Sequence, residues 1–246
     1  MELESGNPMT TPTGYRPEAS GVQPPNASPA YVNTRKRAPA REPIRLVQTL
    51  SEITGPGVGW DIGPEPVPSE AADISYHNGA DALGERIVVG GRVLDEDGRG
   101  IAHTLIEIWQ ANAAGRYDHP ADQHDAPLDP HFSGIARVVT DARGGYRLTT
   151  VKPGAYPWRN HYNAWRPQHI HFSLFGPSFV TRLITQMYFP GDPLLALDPI
   201  FNSVPDEAAR KRLVAVFDVD LAVPDRALGY RFDIVMRGRD ATPTET

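Results

Sequence analysis

Two histidines stand two residues apart in the segment WRPQHIHFSLFG, residues 165–176, at His169 and His171. In an extended strand alternate side chains share a face. His169, His171, Ser173 and Phe175 then line one face, while Ile170, Phe172 and Leu174 form the apolar stripe of a core-facing strand. Side by side, the two imidazoles are spaced to reach a single metal ion. The competing reading is two partly exposed polar residues on the outer face of a sandwich.

The neighbouring residues favour the metal. Arg166 and Pro167 lead directly into the strand, and proline fixes the entry of the backbone. Upstream, KPGAYPWRN (152–160) is a Pro-Gly turn presenting Tyr156 and Trp158, and WQANAAGRYDHP (109–120) carries Tyr117 beyond a small-residue loop. No Asp or Glu sits at obvious ligand spacing from either histidine, and there are no cysteines. A zinc site normally draws its third ligand from that set. If oxygen donors complete the site, tyrosine is the available one. A free phenol has a pKa of about 10, so holding it ionised near pH 7 costs about 4 kcal/mol. A hard trivalent cation offsets that cost readily, and zinc does so less well. Two tyrosines and two histidines would suit ferric iron, for which tyrosine is already a ligand in haem chemistry.

The elements that must position these groups read as strands. RIVVGGRVLDEDGRG is a β-branched run reaching a turn at Asp97-Gly98, with HTLIEIWQ (103–110) as the return strand. IARVVTDARGGYRLTTV (135–151) is two short strands around a Gly-Gly turn. HIHFSLFG (169–176), RLITQMYFP (182–190), RLVAVFDVD (212–220) and GYRFDIVMRG (229–238) supply four more. Only PDEAARKRL (205–213) reads as a helical turn or two, with acids at its start and bases at its end. An all-β fold of about eight strands, a sandwich or barrel, follows. Loops at 110–134, 152–168 and 190–204 interrupt it, and loops of that length in a compact domain are usually functional or ordered by a partner.

Residues 1–50 are expected to be an irregular, proline-punctuated arm with short helical turns, and 51–246 a single domain. LVQTLSEITGPG (46–57) can hold one short helix, and 58–84 reads as loop. The basic cluster TRKRAPAR (34–41) fits a solvated arm or a strip against an acidic partner chain. A net charge of −6 argues against nucleic acid as the main partner. No stretch approaches the ~20 apolar residues of a membrane span. The first residues lack the basic start and apolar segment of a signal peptide, so a cytoplasmic location is expected.

Three stretches resemble the intradiol ring-cleavage dioxygenases: GERIVVGGRVLDEDGRGIAHTLIEIWQANAAGRYDH, LDPHFSGIARVVTDARGGYRLTTVKPGAYPWRN and WRPQHIHFSLFGPSFVTRLITQMYFPGDPL. The resemblance runs from about Ser51 to Arg239 and includes YRFDIVMRG. It implies an all-β sandwich holding non-haem Fe(III) through Tyr117, Tyr156, His169 and His171, with Tyr156 and His169 axial. It further implies catalytic roles for Arg166 and Tyr156, and a substrate pocket formed by Trp158, Gln186, Ile200, Trp109 and Tyr31 of the arm. The implied substrates are O2 and a catechol, with 3,4-dihydroxybenzoate ahead of catechol and hydroxyquinol. The implied product is a cis,cis-muconate, and the implied partner is an alpha chain of the same fold in a hetero-oligomer. Asp118 stands where the family pattern has a base, and residues 160–165 differ from its usual entrance loop, which bears on substrate preference. Two rivals remain: a non-catalytic transthyretin-like module, whose cadence the 91–156 region shares, and a zinc or cupin-like enzyme using His169 and His171.

Overall fold

The computed structural model describes residues 18–39, 41, 72–158, 165–175 and 182–245. The helix expected within 46–57, the boundary at residue 50 and most of the 160–165 loop lie outside these residues.

Two sheets face each other. In the first, β10 (Arg182–Tyr188), β9 (His169–Phe175), β4 (Leu105–Trp109) and β5 (Ile135–Val139) lie in that order, all antiparallel. The second is built on β3 (Arg86–Leu94), which pairs antiparallel with β6 (Gly145–Val151). On its other side β3 pairs in parallel with β12 (Leu228–Arg231) and β13 (Ile234–Val235), and β12 pairs with β11 (Val216–Phe217). Ile106 and Ile108 of β4 and Ile170, Phe172 and Leu174 of β9 are fully buried against Ile87, Val89 and Leu148 of the second sheet. Each such side chain contributes about 1.5–3 kcal/mol of burial. The stripe expected in the histidine segment is thus the inner face of the sandwich.

The all-β sandwich is present, but its pairing differs from the order of the chain. Strands β3 and β4 belong to opposite sheets, so HTLIEIWQ is not the return partner of β3. The Gly-Gly turn likewise carries the chain from β5 in one sheet to β6 in the other. Of RLVAVFDVD only Val216–Phe217 is strand, and GYRFDIVMRG breaks at Phe232 and Asp233 into β12 and β13. The break has a mooring: Tyr146 Oη on β6 donates to the Phe232 carbonyl at 2.6 Å in the core. Tyr146→Phe strands that carbonyl and is expected to lower stability by about 1–3 kcal/mol in chemical denaturation, with the slope unchanged.

Residues 58–84 are not all loop. Tyr76–His77 (β1) and Ala80–Asp81 (β2) form a hairpin around Asn78 and Gly79, with φ of 50° and 82°. Asn-Gly is the residue pair that a two-residue turn of this hand requires. The helix expected in PDEAARKRL is α2, Glu207–Lys211, where Asp206 accepts from Ala209 N at 2.6 Å as its N-cap. In the arm, Thr34–Arg37 forms one helical turn, α1. Among the described residues no helix is long and apolar enough to cross a membrane.

Candidate metal centre

The site grows from the outer face of the first sheet. Register places Trp109 of β4, His171 of β9 and Gln186 of β10 in one row, with Tyr188 opposite His169 in another. Because the inner stripe is Ile170, Phe172 and Leu174, both histidines and Gln186 must face away from the core. That outer face is not open to water: His169 is 2% exposed, and Gln186 and Ser173 are buried as well. The reading of two partly exposed polar residues therefore does not hold for His169, and only His171 keeps partial exposure.

Two loops bring the tyrosines over this row. Gly154 N donates to the Asn112 carbonyl at 2.9 Å, which docks the 152–156 turn on the loop that leaves β4. The approach is too close for side chains. A Cβ at Gly154 would lie 2.5 Å from the Ala113 carbonyl oxygen, and one at Gly115 would lie 2.2 Å from that of Ala155. Asn112 Oδ1 accepts from Ala114 N and Arg116 N at 2.9 Å each, which turns the chain toward Tyr117. The Tyr117 and Tyr156 rings then meet edge to face, with centroids 5.4 Å apart. Tyr156–Pro157 (β7) pairs with Trp165–Arg166 (β8), placing Tyr156 opposite Arg166 in a small ribbon within the 152–168 loop.

The four candidate ligands converge. Tyr156 Oη lies 3.2 Å from His169 Nε2, and the His169 and His171 rings are 4.8 Å apart. His169 Nδ1 lies 2.7 Å from the Pro167 carbonyl, so this nitrogen carries the proton and Nε2 presents its lone pair. Burial, then the charges of Arg166 and His171, push the His169 pKa down and keep it neutral. His171 stacks on Trp109 at 4.8 Å with ring planes 6° apart.

Burial raises both phenols, Tyr117 well above its ordinary value and Tyr156 less so, where the nearby Arg166 charge and the Tyr117 hydroxyl pull against it. Tyr117 Oη is buried and meets only the Tyr156 hydroxyl, without a hydrogen bond of ordinary geometry. Two imidazole nitrogens and two phenol oxygens form the N2O2 donor set of a hard cation. Among the described residues no group of three or more His, Cys, Asp or Glu is placed to hold a metal, so a zinc site on the histidines lacks its usual third ligand.

Arg166 is buried behind the ribbon. Its Nε lies 3.0 Å from Asp198 Oδ1, and Nη2 reaches Gln186 Oε1 at 2.6 Å and Tyr188 Oη at 3.3 Å. Burial opposes the charge, but Asp198 overrides it and raises the guanidinium above its ordinary pKa. The guanidinium also lies 5.2 Å from the Trp158 ring. Tyr31 of the arm is buried against that same Trp158, with ring centroids 5.3 Å apart.

A cavity of about 890 Å³ opens beside the tyrosines, lined by Trp109, Tyr117, Tyr156 and Trp158 together with residues of the 118–125 loop. Gln186 and Ile200 are not on its described wall. Gln186 faces Arg166, and Ile200 is buried two residues beyond Asp198. Two carboxylates were missed by reading local spacing. Asp198 pairs with Arg166 from 32 residues away, and Glu245 Oε2 lies 2.9 Å from His171 Nδ1 from 74 residues away. Burial works against ionisation of Glu245, but hydrogen bonds from His171 and Gln186 outweigh it and hold its carboxyl below the usual range.

Comparison with known proteins agrees with this architecture. The family model described as "Dioxygenase" matches residues 59–238. The chain is 56% identical over 238 residues to the protocatechuate 3,4-dioxygenase beta chain of Burkholderia cepacia, covering 96% of this chain and all of that one. It is 33% identical over 202 residues to the alpha chain of the same organism, covering 80% and 96%. Among solved structures, 3-chlorocatechol 1,2-dioxygenase from Rhodococcus opacus 1CP shares the fold, with a TM-score of 0.53 and 22% identity over 76% of this chain and 75% of that one. A transthyretin-like module would have no use for buried tyrosines facing a histidine pair, and similarity of this extent leaves one assignment: the chain belongs to the intradiol ring-cleavage dioxygenase family.

Proposed function

We propose that the chain is the iron-bearing subunit of a protocatechuate 3,4-dioxygenase, cleaving 3,4-dihydroxybenzoate between its hydroxylated carbons to give 3-carboxy-cis,cis-muconate. The observation that carries this reading is the 56% identity, along essentially the whole of both chains, to a beta chain of that name. Tyr117, Tyr156, His169 and His171 would hold the metal, and the donor set suits ferric iron. Ferric iron held there would supply a Lewis acid to a catechol substrate, drawing electron density from its ring.

The chain's own residues handle protons and charge. Tyr156 sits on a two-residue ribbon at the cavity wall, where its Oη can leave the site with a catechol proton. Burial favours the protonated phenol, so Tyr156 would take one of the two catechol protons, and the other would pass to hydroxide from solvent. The Arg166 cation, locked by Asp198 and Gln186, is a fixed positive charge beside the reacting ring and stabilises the anion developing there. Both oxygen atoms of O2 enter the product, one in each new carboxylate, and the substrate itself supplies the electrons.

The substrate's own carboxylate needs a cation. The described cavity wall offers Asp118, Asp122 and Asp125 and no Lys or Arg. We therefore assign that cation to an alpha chain in a hetero-oligomer, and Tyr31 and Trp158 to the substrate wall. Residues 51–246 would form the catalytic domain and 1–50 its arm.

Anaerobic titration of the alpha–beta protein with 3,4-dihydroxybenzoate, followed by O2, tests the reading. A visible tyrosinate-to-iron band that shifts on binding, and a tricarboxylate product, are expected. Colourless zinc-bearing protein, or a product with an aldehyde in place of the new carboxylate, overturns it. In the same assay Tyr156→Phe is expected to retain iron while substrate association slows by at least about tenfold, because position 156 no longer supplies an oxygen to take a catechol proton.

A further inference from the structure

The tail residues 241–245 run back along the outer edge of the first sheet and are fastened there at several points. Thr185 Oγ1 donates to the Pro243 carbonyl at 2.7 Å, Thr244 Oγ1 donates to the Ile184 carbonyl at 2.9 Å, and Glu245 N donates to that same carbonyl at 2.8 Å. Gln23 of the arm accepts from Thr244 N at 2.7 Å, and Thr242 exchanges two hydrogen bonds with Val235. The result is that the Glu245 carboxylate enters the metal centre from behind, where no residue close in sequence to the histidines could reach.

There it makes two contacts with one oxygen. Oε2 accepts from His171 Nδ1 at 2.9 Å and from Gln186 Nε2 at 2.7 Å. Gln186 Oε1 in turn accepts from Arg166 Nη2 at 2.6 Å, and Arg166 is held by Asp198. Asp198, Arg166, Gln186, Glu245 and His171 form one chain of hydrogen bonds joining the fixed cation to a candidate ligand. Trp109 closes on the ring face of His171, so that imidazole is set in plane by a stack and in rotation by the carboxylate.

We propose that Glu245 is the positioning residue for His171: it fixes the proton on Nδ1, aims Nε2 at the metal, and orients the Gln186 amide toward Arg166. A ligand histidine whose second nitrogen donates to a carboxylate is a stronger donor held in one tautomer, and loss of such a partner typically costs about 10–100-fold in metal affinity. The inference rests on the ferric reading of the site, but its geometric part does not need the metal.

The test uses the full alpha–beta protein for metal retention, and the metal-free chain for the tautomer. In the metal-free wild type, nitrogen NMR of His171 is expected to report the Nδ1–H form, and Glu245→Ala to abolish that preference. In loaded protein, Glu245→Ala is expected to surrender ferric ion to a competing chelator about 10–100-fold more readily and to shift the visible band. Glu245→Gln, which keeps the size and one acceptor oxygen, falls between. Thr244→Val loosens the tail that carries Glu245, so a smaller effect in the same direction is expected; a Glu245→Ala that loses stability like Thr244→Val but keeps the wild-type tautomer and chelation rate would reduce Glu245 to a tail anchor and overturn the proposal. An unchanged tautomer, chelation rate and band in Glu245→Ala would also overturn it. If the wild type takes up no ferric ion, the reading of the site fails, and the tautomer comparison still decides Glu245.

Discussion

Asp198→Ala is expected to destabilise the fold by about 3–5 kcal/mol, because it leaves the Arg166 cation buried without its counter-charge. Arg166 is 3% exposed and Asp198 fully buried, so water cannot replace the lost carboxylate. The remaining partners, Gln186 Oε1 and Tyr188 Oη, are neutral. Asp198 also accepts from Tyr188 Oη at 3.1 Å, Phe201 N at 3.3 Å and Ile200 N at 3.5 Å; Tyr188 keeps Gln186 as an acceptor, but the turn at Ile200 and Phe201 loses its mooring. For a chain of this length the loss corresponds to a fall of roughly 10 °C in thermal midpoint. The exposed pair Arg137–Glu107, 3.0 Å apart across β4 and β5, is the internal comparison. Glu107→Ala should cost no more than about 1 kcal/mol. Similar midpoints for the two variants would show that the Arg166–Asp198 pair is screened after all.

How far the site could be read from sequence depends on how each residue is placed. His169 and His171 were legible because strand periodicity alone assigns them a face, and the apolar stripe between them is strong. Tyr117 and Tyr156 carry no such periodic signal; their place on loops flanking the histidine strand raised them, the family resemblance named them as ligands, and glycine-to-backbone contacts at Gly115 and Gly154 are what unite them. The Asn78-Gly79 hairpin was legible in principle, since both turn residues adopt positive φ, but the polar run around it masked the signal.

Pairing was the main loss. Each βturnβ segment looked like a hairpin, whereas β3 to β4 and β5 to β6 both cross between sheets. A short turn specifies a reversal, not which sheet receives the chain. The same limit hid Asp198 and Glu245. A carboxylate becomes a partner of Arg166 or His171 only after the sheet and the tail have folded back, and no spacing rule spans 32 or 74 residues. Gln186 and Ile200, assigned to the substrate wall by resemblance, are buried and do not line the described cavity. Gln186 shares a row with His171, so its amide serves the Arg166–Glu245 chain.

The double variant Arg166→Met/Asp198→Asn is expected to separate stability from turnover. Removing both members of a buried ion pair is far less costly than removing one, because no charge is left stranded. The introduced asparagine would retain an oxygen for Phe201 N, and the introduced methionine would fill the space left by the arginine stem. Stability should therefore return to within about 1–2 kcal/mol of wild type. Activity should not return. Without the fixed cation the anion developing on the substrate loses its preorganised partner, and kcat/KM is expected to fall about 100–1000-fold. The four candidate ligands are untouched, so iron content and the visible band should persist, which excludes metal loss as the cause. Asp198→Asn alone completes the cycle: it keeps the cation but frees its orientation, and should cost both stability and part of the activity. Full activity in the double variant would remove the Arg166 charge from the mechanism. Failure to regain stability would instead place the cost of losing Asp198 in the turn at Phe201.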